Sequence, residues 1–172
     1  MSLYIIIDPM TTYIGDDVAI GEGTVIHPNT VIAAGTRIGR GCVIGPMAHV
    51  REGCRIGDNC VVGTFVQLKN TCLGNGTVVT HHAYLGDCDV GENVNVGCMV
   101  VTANYDGKAK HKTVIGDGAF LGCHTTLVAP VTVGAGAWTA AGSVITEDVP
   151  DGALGIARSR QTLKDGWAEG RR

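Results

Sequence analysis

Two cations at a regular interval are the first residues that could do chemistry. Arg51 and Lys69 are 18 positions apart, and each directly follows an aliphatic residue of a repeating pattern. If strands stack once every 18 residues, both side chains point outward about 4.8 Å apart. Two such cations repel unless an anion bridges them, so the pair indicates a phosphate clamp. From the pair alone, two solvated charges without a ligand are the simpler alternative.

A histidine and three small side chains form a second column by the same arithmetic. The column consists of His81, Cys98, Cys123 and Ala141. Its intervals are 17, 25 and 18 residues, which correspond to a shortened turn, a turn with an inserted loop and a regular turn. A groove of small side chains would seat the thin pantetheine arm of acetyl-CoA, with the thioester end at the histidine.

His81 is the candidate general base of this column. At neutral pH an imidazole can accept the proton that an attacking ammonium must lose. A backbone N–H near Cys98 would stabilise the oxyanion, and Cys98 is alternatively a covalent acetyl carrier. Three other histidines are interpreted as ordinary polar residues: His27, His49 and His124.

A zinc site is the rival interpretation of the histidines. Hexapeptide carbonic anhydrases bind zinc with three histidines across a subunit interface, and the candidates here are His81 or His82, His111 and His124. His111 lies in a polar loop and no zinc-ligand motif surrounds the others, so we expect no metal. His82 points to the other side of the strand from its neighbour and has no assigned role.

Aliphatic residues at every sixth position define the elements that would position these groups. Ten of them occur in unbroken register: Ile14, Ile20, Ile26, Ile32, Ile38, Ile44, Val50, Ile56, Val62 and Leu68. The register slips by one residue at Leu73 and again before Val96. A helix needs a period of 3.6 and a hairpin sheet needs alternation with turns, so a period of six indicates one short strand and one turn per hexapeptide.

These patterns predict an all-β chain that folds as a left-handed parallel β-helix of six to seven coils. The left hand comes from resemblance to known hexapeptide proteins, because the period alone does not set it. We expect the β-helix at residues 1–150, a projecting loop at 103–112 and a C-terminal tail at 151–172. Cys42, Cys54 and Cys60 occupy the small-residue corner position and are predicted to be buried.

Charge and composition exclude several classes of protein. The net charge is −3 and the pI is about 6.0, which is unlike a basic nucleic-acid-binding protein. The N-terminal sequence has no basic stretch and only a short apolar run, so we expect neither a signal peptide nor a membrane span. Seven cysteines without a CxxC pair are typical of free thiols, and we expect a cytoplasmic protein.

Seven motifs between residues 45 and 167 resemble a known family. They are GPMAHVREG (45–53), VGTFVQLKN (62–70), HHAYLGDCDVGENVNVG (81–97), TANYDGKAKHKTVIGDGAFLG (102–122), LVAPVTVGAGA (127–137), AAGSVITEDV (140–149) and ALGIARSRQTLKDGW (153–167). This region is similar to the C-terminal acetyltransferase half of the bifunctional N-acetylglucosamine-1-phosphate uridyltransferase / glucosamine-1-phosphate acetyltransferase. The NYDG loop and the tail are far more specific than hexapeptides in general.

The resemblance implies an acetyl-CoA-dependent N-acetyltransferase that acts on glucosamine-1-phosphate or a closely related amino sugar phosphate. It implies that His81 is the proton acceptor. The residues that would bind the sugar phosphate are Arg51, Lys69, Tyr84 and Asn95. The residues that would contact acetyl-CoA are Cys98, Asn104, Tyr105, Lys110, Cys123, Ala141 and Arg158.

Two departures from the family keep alternatives open. The family's N-terminal uridyltransferase domain has no counterpart here, so we expect no uridyltransferase activity, and a separate uridyltransferase is a candidate partner. His82-Ala83 replaces the Leu-Ser or Leu-Thr that commonly follows the catalytic histidine, which could alter the acceptor. The alternatives are therefore a different amine or hydroxyl acceptor, or a non-catalytic trimeric scaffold.

We expect a homotrimer with its sites at subunit interfaces. A triangular prism exposes flat sides, and a projecting loop suits packing against a neighbour. The loop at 103–112 would complete the neighbouring subunit's site, or alternatively it is only a mobile excursion.

Overall fold

The computed structural model describes residues 4–170, and within them every regular element is a short strand. All strand pairs are parallel, and successive coils of the chain stack into a solenoid of three faces. The predicted all-β hexapeptide helix is confirmed. In this described part of the chain, no helix is long and apolar enough to cross a membrane.

Each face is a ladder of strands contributed by successive coils. Face 1 contains β1 (Ile5–Ile6), β4 (Val25–Ile26), β7 (Val43–Ile44), β10 (Val61–Thr64), β12 (Val78–His81), β14 (Asn95–Val96), β17 (Phe120–Leu121), β20 (Trp138–Thr139) and β22 (Leu154–Gly155). Face 2 contains β2 (Tyr13–Ile14), β5 (Val31–Ile32), β8 (His49–Val50), the first part of β11 (Gln67–Leu73) and of β13 (Tyr84–Val90), β15 (Val101–Ala103), β18 (Thr126–Val128) and β21 (Val144–Ile145). Face 3 contains β3 (Ala19–Ile20), β6 (Arg37–Ile38), β9 (Arg55–Ile56), the second part of β11 and β13, β16 (Thr113–Ile115) and β19 (Val131–Val133).

The core consists of the inward aliphatic residue of each strand and the small residue of each corner. Ile26, Ile44 and Leu68 have no exposed surface, and neither do most of their equivalents on other coils. Cys42, Cys54 and Cys60 are at most 1% exposed, which confirms that they are packing residues. The low aromatic content is explained because only aliphatic and small side chains fill the narrow interior.

Two successive coils in the middle of the solenoid are one residue shorter than the regular coil of 18. Val25 pairs with Val43, an interval of 18, whereas Val61 pairs with Val78 and Val78 pairs with Asn95, intervals of 17. On these coils β11 and β13 continue through the corner between faces 2 and 3 as seven-residue strands. The slips in the aliphatic register therefore arise where a continuous strand replaces a turn.

The number of coils is larger than predicted. Nine strands lie on face 1, so the chain makes about eight turns, and the expectation of six to seven was too low. The coils at both ends were not predicted because their strands do not follow the period of six. Ile6 precedes Ile14 by eight residues, and Leu154 follows Ile145 by nine. Strand pairing thus continues to Gly155, past the expected boundary at residue 150.

The loop between β15 and β16 is the one long excursion from the coils in residues 4–170. Residues 105–110 are exposed, and Tyr105 forms an isolated antiparallel bridge with Lys110. Asp106 organises the loop, because Oδ1 accepts from the N–H groups of Lys108 and Ala109, both at 2.7 Å, and Oδ2 lies 2.7 Å from Nε2 of His111. The Ala109 N–H, His111 and the Lys108 N–H hold the pKa of the Asp106 carboxyl well below its usual range.

Candidate active site

Arg51 and Lys69 stack at the corner where the chain passes from face 2 to face 3, which we call edge 2–3 (residues 51–54, 69–71, 86–88 and 104–112). Val50 pairs with Leu68, and the Arg51 N–H donates to the Leu68 carbonyl at 2.8 Å, so the two cations follow on adjacent strands. The interval of 18 thus has the structural meaning inferred from the sequence. A guanidinium nitrogen of Arg51 lies 3.2 Å from Glu52 Oε1. This ion pair is exposed, and exposed ion pairs contribute little to stability.

Lys110 brings a third cation from the loop to the same edge. The pKa of Lys110 is lowered, chiefly by the adjacent ammonium of Lys69, which disfavours a second positive charge. The resemblance assigned Lys110 to acetyl-CoA, but the structure places it beside the residues expected to bind the sugar phosphate. Three cations therefore converge on one edge.

Tyr84 and Asn104 meet above a glycine at this edge. A Cβ built on Gly86 would clash with Tyr84 Oη and would lie 2.8 Å from Asn104 Nδ2, so a larger residue would displace both side chains. Tyr84 begins β13 on face 2, directly above Gln67. Tyr105, the next loop residue, is 60% exposed and donates its hydroxyl to the Gly107 carbonyl at 2.8 Å.

Asn70 and Asp87 are site residues that the sequence interpretation missed. Asn70 donates Nδ2 to Asp87 Oδ1 at 2.7 Å, and Asn104 donates Nδ2 to Asp87 Oδ2. Asp87 has a left-handed backbone with φ of 51°. The signal that could have found this cluster is its spacing, because positions 70, 87 and 104 are separated by two intervals of 17, the length of the short coils.

The His81 column runs along the corner between faces 1 and 2, which we call edge 1–2 (residues 64–66, 81–83, 98–100, 123–125 and 141–143). Thr64 pairs with His81, and Val79 pairs with Val96, which places Cys98 in register after His81. The His124 N–H donates to the Cys98 carbonyl at 2.8 Å, and the Gly142 N–H donates to the Cys123 carbonyl at 2.8 Å.

The column therefore exists as the sequence intervals suggest. His81, Cys123 and Ala141 are exposed and Cys98 is half-buried. Arg158 extends it, since its Cδ lies 3.8 Å from the position of a Cβ on Gly142. The groove thus consists of small side chains between an imidazole at one end and a guanidinium at the other.

A single chain does not bring all the predicted site residues together. Lys69 pairs with Gly86 at the end of the face 2 strand, whereas His81 ends β12 on face 1, so the width of face 2 lies between them. Asn95 lies on the outside of face 1, between Val78 and Phe120, and so faces away from Tyr84. The residues form two groups, one at edge 2–3 and the other at edge 1–2 with Asn95.

A cavity of about 340 Å³ on face 2 lies between the two groups. Tyr84 lines it on the side of edge 2–3, and Phe65, His82 and Met99 line it on the side of edge 1–2. The rings of Phe65 and His82 are 5.7 Å apart, so His82 packs into this cavity and points away from the His81 column. The cavity walls are largely apolar side chains.

The histidines of the zinc alternative do not form a cluster within one chain. Among residues 4–170 no three His, Cys, Asp or Glu side chains are grouped so that they could hold a metal ion. His111 is held by Asp106 in the loop, at a different edge from His81 and His124.

Comparison with known proteins identifies close relatives of this chain. A profile described as "Bacterial transferase hexapeptide (six repeats)" matches residues 35–70, and one described as "Hexapeptide repeat of succinyl-transferase" matches residues 112–147. A protein named "Bifunctional protein GlmU" from Thermoanaerobacter pseudethanolicus is 47% identical over 96% of this chain and 44% of its own length. The protein of the same name from Shouchella clausii is 47% identical over 95% of this chain and 43% of its own length.

The chain spans less than half the length of these two relatives. Solved structures show the same fold at low identity. A UDP-N-acetylglucosamine acyltransferase superposes with a TM-score of 0.63 at 19% identity, covering 89% of this chain and 69% of its own.

Proposed function

The chain belongs to the family of the bifunctional GlmU proteins, and on this premise we propose that it transfers the acetyl group of acetyl-CoA to the amine of an amino sugar phosphate. Glucosamine-1-phosphate or a close relative is the proposed acceptor. The observation that carries the proposal is the register that stacks His81 above Cys98, Cys123 and Ala141 in one open groove.

The proposed acceptor site is the cation cluster at edge 2–3. The phosphate would dock on Arg51 and Lys69 and gain charge-assisted hydrogen bonds, taking the place of Glu52 on the guanidinium. Lys110 would add a third contact, because its ammonium shares the Lys69 neighbourhood. Tyr84 would orient the sugar from face 2, and Asn95 would do so from a neighbouring chain.

The proposed acetyl-CoA site is the groove at edge 1–2. The pantetheine arm would lie over Cys98, Cys123 and Ala141, whose side chains leave the groove shallow and open, and Arg158 would pair with a phosphate of the coenzyme. Asn104 and Tyr105 would contact the coenzyme from the loop of a neighbouring chain.

His81 would act as the general base. The amine nitrogen attacks the thioester carbonyl, a C–N bond forms, the C–S bond breaks, and the nitrogen passes its proton to the imidazole. The departing coenzyme A thiolate then takes up a proton. A backbone N–H near Cys98 would stabilise the oxyanion, and holding both substrates together would supply much of the rate.

We further propose that the active form is a homotrimer. Because the two groups lie at different edges of one prism, a site that contains both needs two chains, with edge 1–2 of one facing edge 2–3 of the next. The loop would lie in that interface. The seven free thiols fit a protein that works in the reducing cytoplasm, where both substrates would be found.

A thiol-release assay with an acceptor panel tests this function. Glucosamine-1-phosphate should release coenzyme A thiol from acetyl-CoA with a kcat/KM at least tenfold above that of glucosamine, which lacks the phosphate. Glucosamine-6-phosphate and a hydroxyl acceptor complete the panel, since His82-Ala83 could favour a related acceptor. No thiol release with any acceptor, together with no binding of coenzyme A, would leave the non-catalytic scaffold as the better explanation.

A further inference from the structure

Asp87 is a nearly enclosed carboxylate beside the cation cluster. The residue is 9% exposed, and each of its carboxylate oxygens accepts a hydrogen bond from one asparagine, Asn70 at Oδ1 and Asn104 at Oδ2. An ionised carboxylate can only accept hydrogen bonds, so both amides must turn their NH₂ groups toward it. The side-chain oxygens of Asn70 and Asn104 therefore face away from Asp87.

Asn104 Oδ1 is consequently available to a ligand. Throughout the described range 4–170, no protein group donates to this atom, yet it is not among the polar atoms sealed from solvent without a partner. Asn104 is 7% exposed, and its amide nitrogen lies next to the Tyr84 hydroxyl above Gly86. The amide group thus borders the patch where the substrates are proposed to meet.

Asp87 keeps its charge in the folded protein. Burial opposes ionisation, but hydrogen bonds from the two asparagines, with the charges of Lys69 and Lys110, hold the pKa of this carboxyl below its usual value. With both oxygens occupied and a lowered pKa, Asp87 is unsuited to accept the reaction's proton. Its effect on a substrate must pass through the groups that it holds.

We propose that Asp87 is a positioning residue that fixes the Asn104 amide so that its oxygen accepts an N–H from a bound substrate. The inference rests on the function proposed above, because the available N–H donors are then the amine of the sugar and the amides of the pantetheine arm. A neutral side chain at position 87 would release this constraint, since an amide facing another amide can flip and present NH₂ to the substrate instead.

A double-mutant cycle tests whether Asp87 acts through Asn104. Asp87→Asn and Asn104→Ala, each in the full chain, should lower kcat/KM by about 10- to 100-fold, because misplaced substrate contacts cost roughly that much. The double variant should be no slower than Asn104→Ala alone. If the two losses multiply, Asp87 acts independently and the proposal is overturned.

Asn70→Ala separates the two hydrogen bonds of Asp87. It removes the bond to Asp87 Oδ1 and leaves the bond from Asn104 intact, so the loss in kcat/KM should be clearly smaller than that of Asp87→Asn. A loss as large as that of Asp87→Asn would show general loosening of the cluster instead. A change confined to the KM of acetyl-CoA assigns the N–H donor to pantetheine, and a change for the sugar assigns it to the amine.

Amide hydrogen exchange gives a readout that does not depend on catalysis. In the ¹⁵N-labelled protein, the side-chain NH₂ signal of Asn104, identified by its loss in Asn104→Ala, should exchange more slowly than that of the exposed Asn29. Exchange as fast as Asn29 would overturn the role of Asp87 even if Asp87→Asn fails to fold. A protected amide in a protein without acetyltransferase activity would overturn the proposed function alone.

Discussion

His81 is the residue whose replacement separates chemistry from folding most directly. It is exposed at the end of β12 and lies outside the hydrophobic core, so His81→Ala should fold as wild type. Loss of a general base predicts a fall in kcat of about 10²- to 10⁴-fold. The matched control is His82→Asn, which removes the neighbouring imidazole and suits the φ of 42° at that position. Near-wild-type turnover in His81→Ala would remove it from the mechanism.

Lys69 and Lys110 predict a pH dependence of acceptor binding. Because Lys69 lowers the pKa of Lys110, the loop ammonium loses its proton at a lower pH than an ordinary lysine, and the acceptor KM should rise as pH increases through that value. We call this rise in KM the basic limb of the pH profile. Lys69→Met should weaken acceptor binding at pH 7 but move the basic limb to higher pH, since the positive charge that repels the Lys110 ammonium is gone.

Steady-state KM values between pH 7 and 10 measure the shift of the basic limb. Lys108→Met, which removes another loop lysine, is the control and should leave the limb where it is in wild type. A limb that stays in place in Lys69→Met would show that the two ammonium groups do not interact.

At the residue scale, the sequence predicted which side chains lie next to each other where they recur at the coil interval. It did not predict the positions of side chains that lack such an interval. The stacking of Arg51 next to Lys69 was predictable because 18 residues make one coil, and the column at His81 was predictable because it continues through Cys98. Asp87 was missed because a short polar residue after a glycine is typical of a turn. The position of Lys110 depends on the path of an irregular loop, which no period encodes.

At the element scale, the loop between β15 and β16 is held mainly by Asp106. Asp106→Ala removes the acceptor of two backbone N–H groups and the partner of His111, so Lys110 should move more freely and the acceptor KM should rise severalfold. The melting temperature should change little, because the loop lies outside the core.

Limited trypsin digestion, which would cut at the loop lysines, measures the mobility of the loop, and steady-state kinetics measure the effect on the acceptor. Glu147→Ala, at an exposed acidic residue of another coil, is the control and should match wild type in both. A loop as resistant as wild type in Asp106→Ala would show that other contacts position Lys110.

The positions of the strands were predictable because the same packing requirement recurs in every hexapeptide. Each hexapeptide must bury one aliphatic residue and turn a corner with a small one, so Ile44 and Cys42 have equivalents on nearly every coil. The strands at the two ends of the β-helix were harder to predict, because β1 and β22 lie outside the period of six. Their pairing depends on the backbone ladder of the neighbouring coil, which continues where the side-chain pattern stops.

At the scale of the whole molecule, the separation of the two groups predicts complementation between subunits that are each impaired alone. If one site takes His81 from one chain and Lys69 from the next, trimers that mix His81→Ala and Lys69→Ala chains contain some intact sites. Co-refolded mixtures should then regain a sizeable fraction of the wild-type kcat/KM per intact site, whereas each variant alone stays well below that value.

Sedimentation equilibrium would establish the number of chains in the mixed assembly. In the control mixture of His81→Ala chains with Cys98→Trp chains, every chain has a defect in its own edge 1–2 groove, so no site is intact and kcat/KM should not recover. Recovery in neither mixture would show that each chain builds its site alone.

The two shortened coils carry a consequence for transplanting this site. Lys69, Asn70, His81, Tyr84 and Asp87 all lie on the coils that are 17 residues long, and the clustering of the asparagines around Asp87 needs that length twice in succession. A designer who copied these side chains onto a uniform 18-residue scaffold would progressively offset each partner from the one below. The irregularity is thus a component that must be grafted together with the functional groups, and an idealised solenoid would be the wrong recipient.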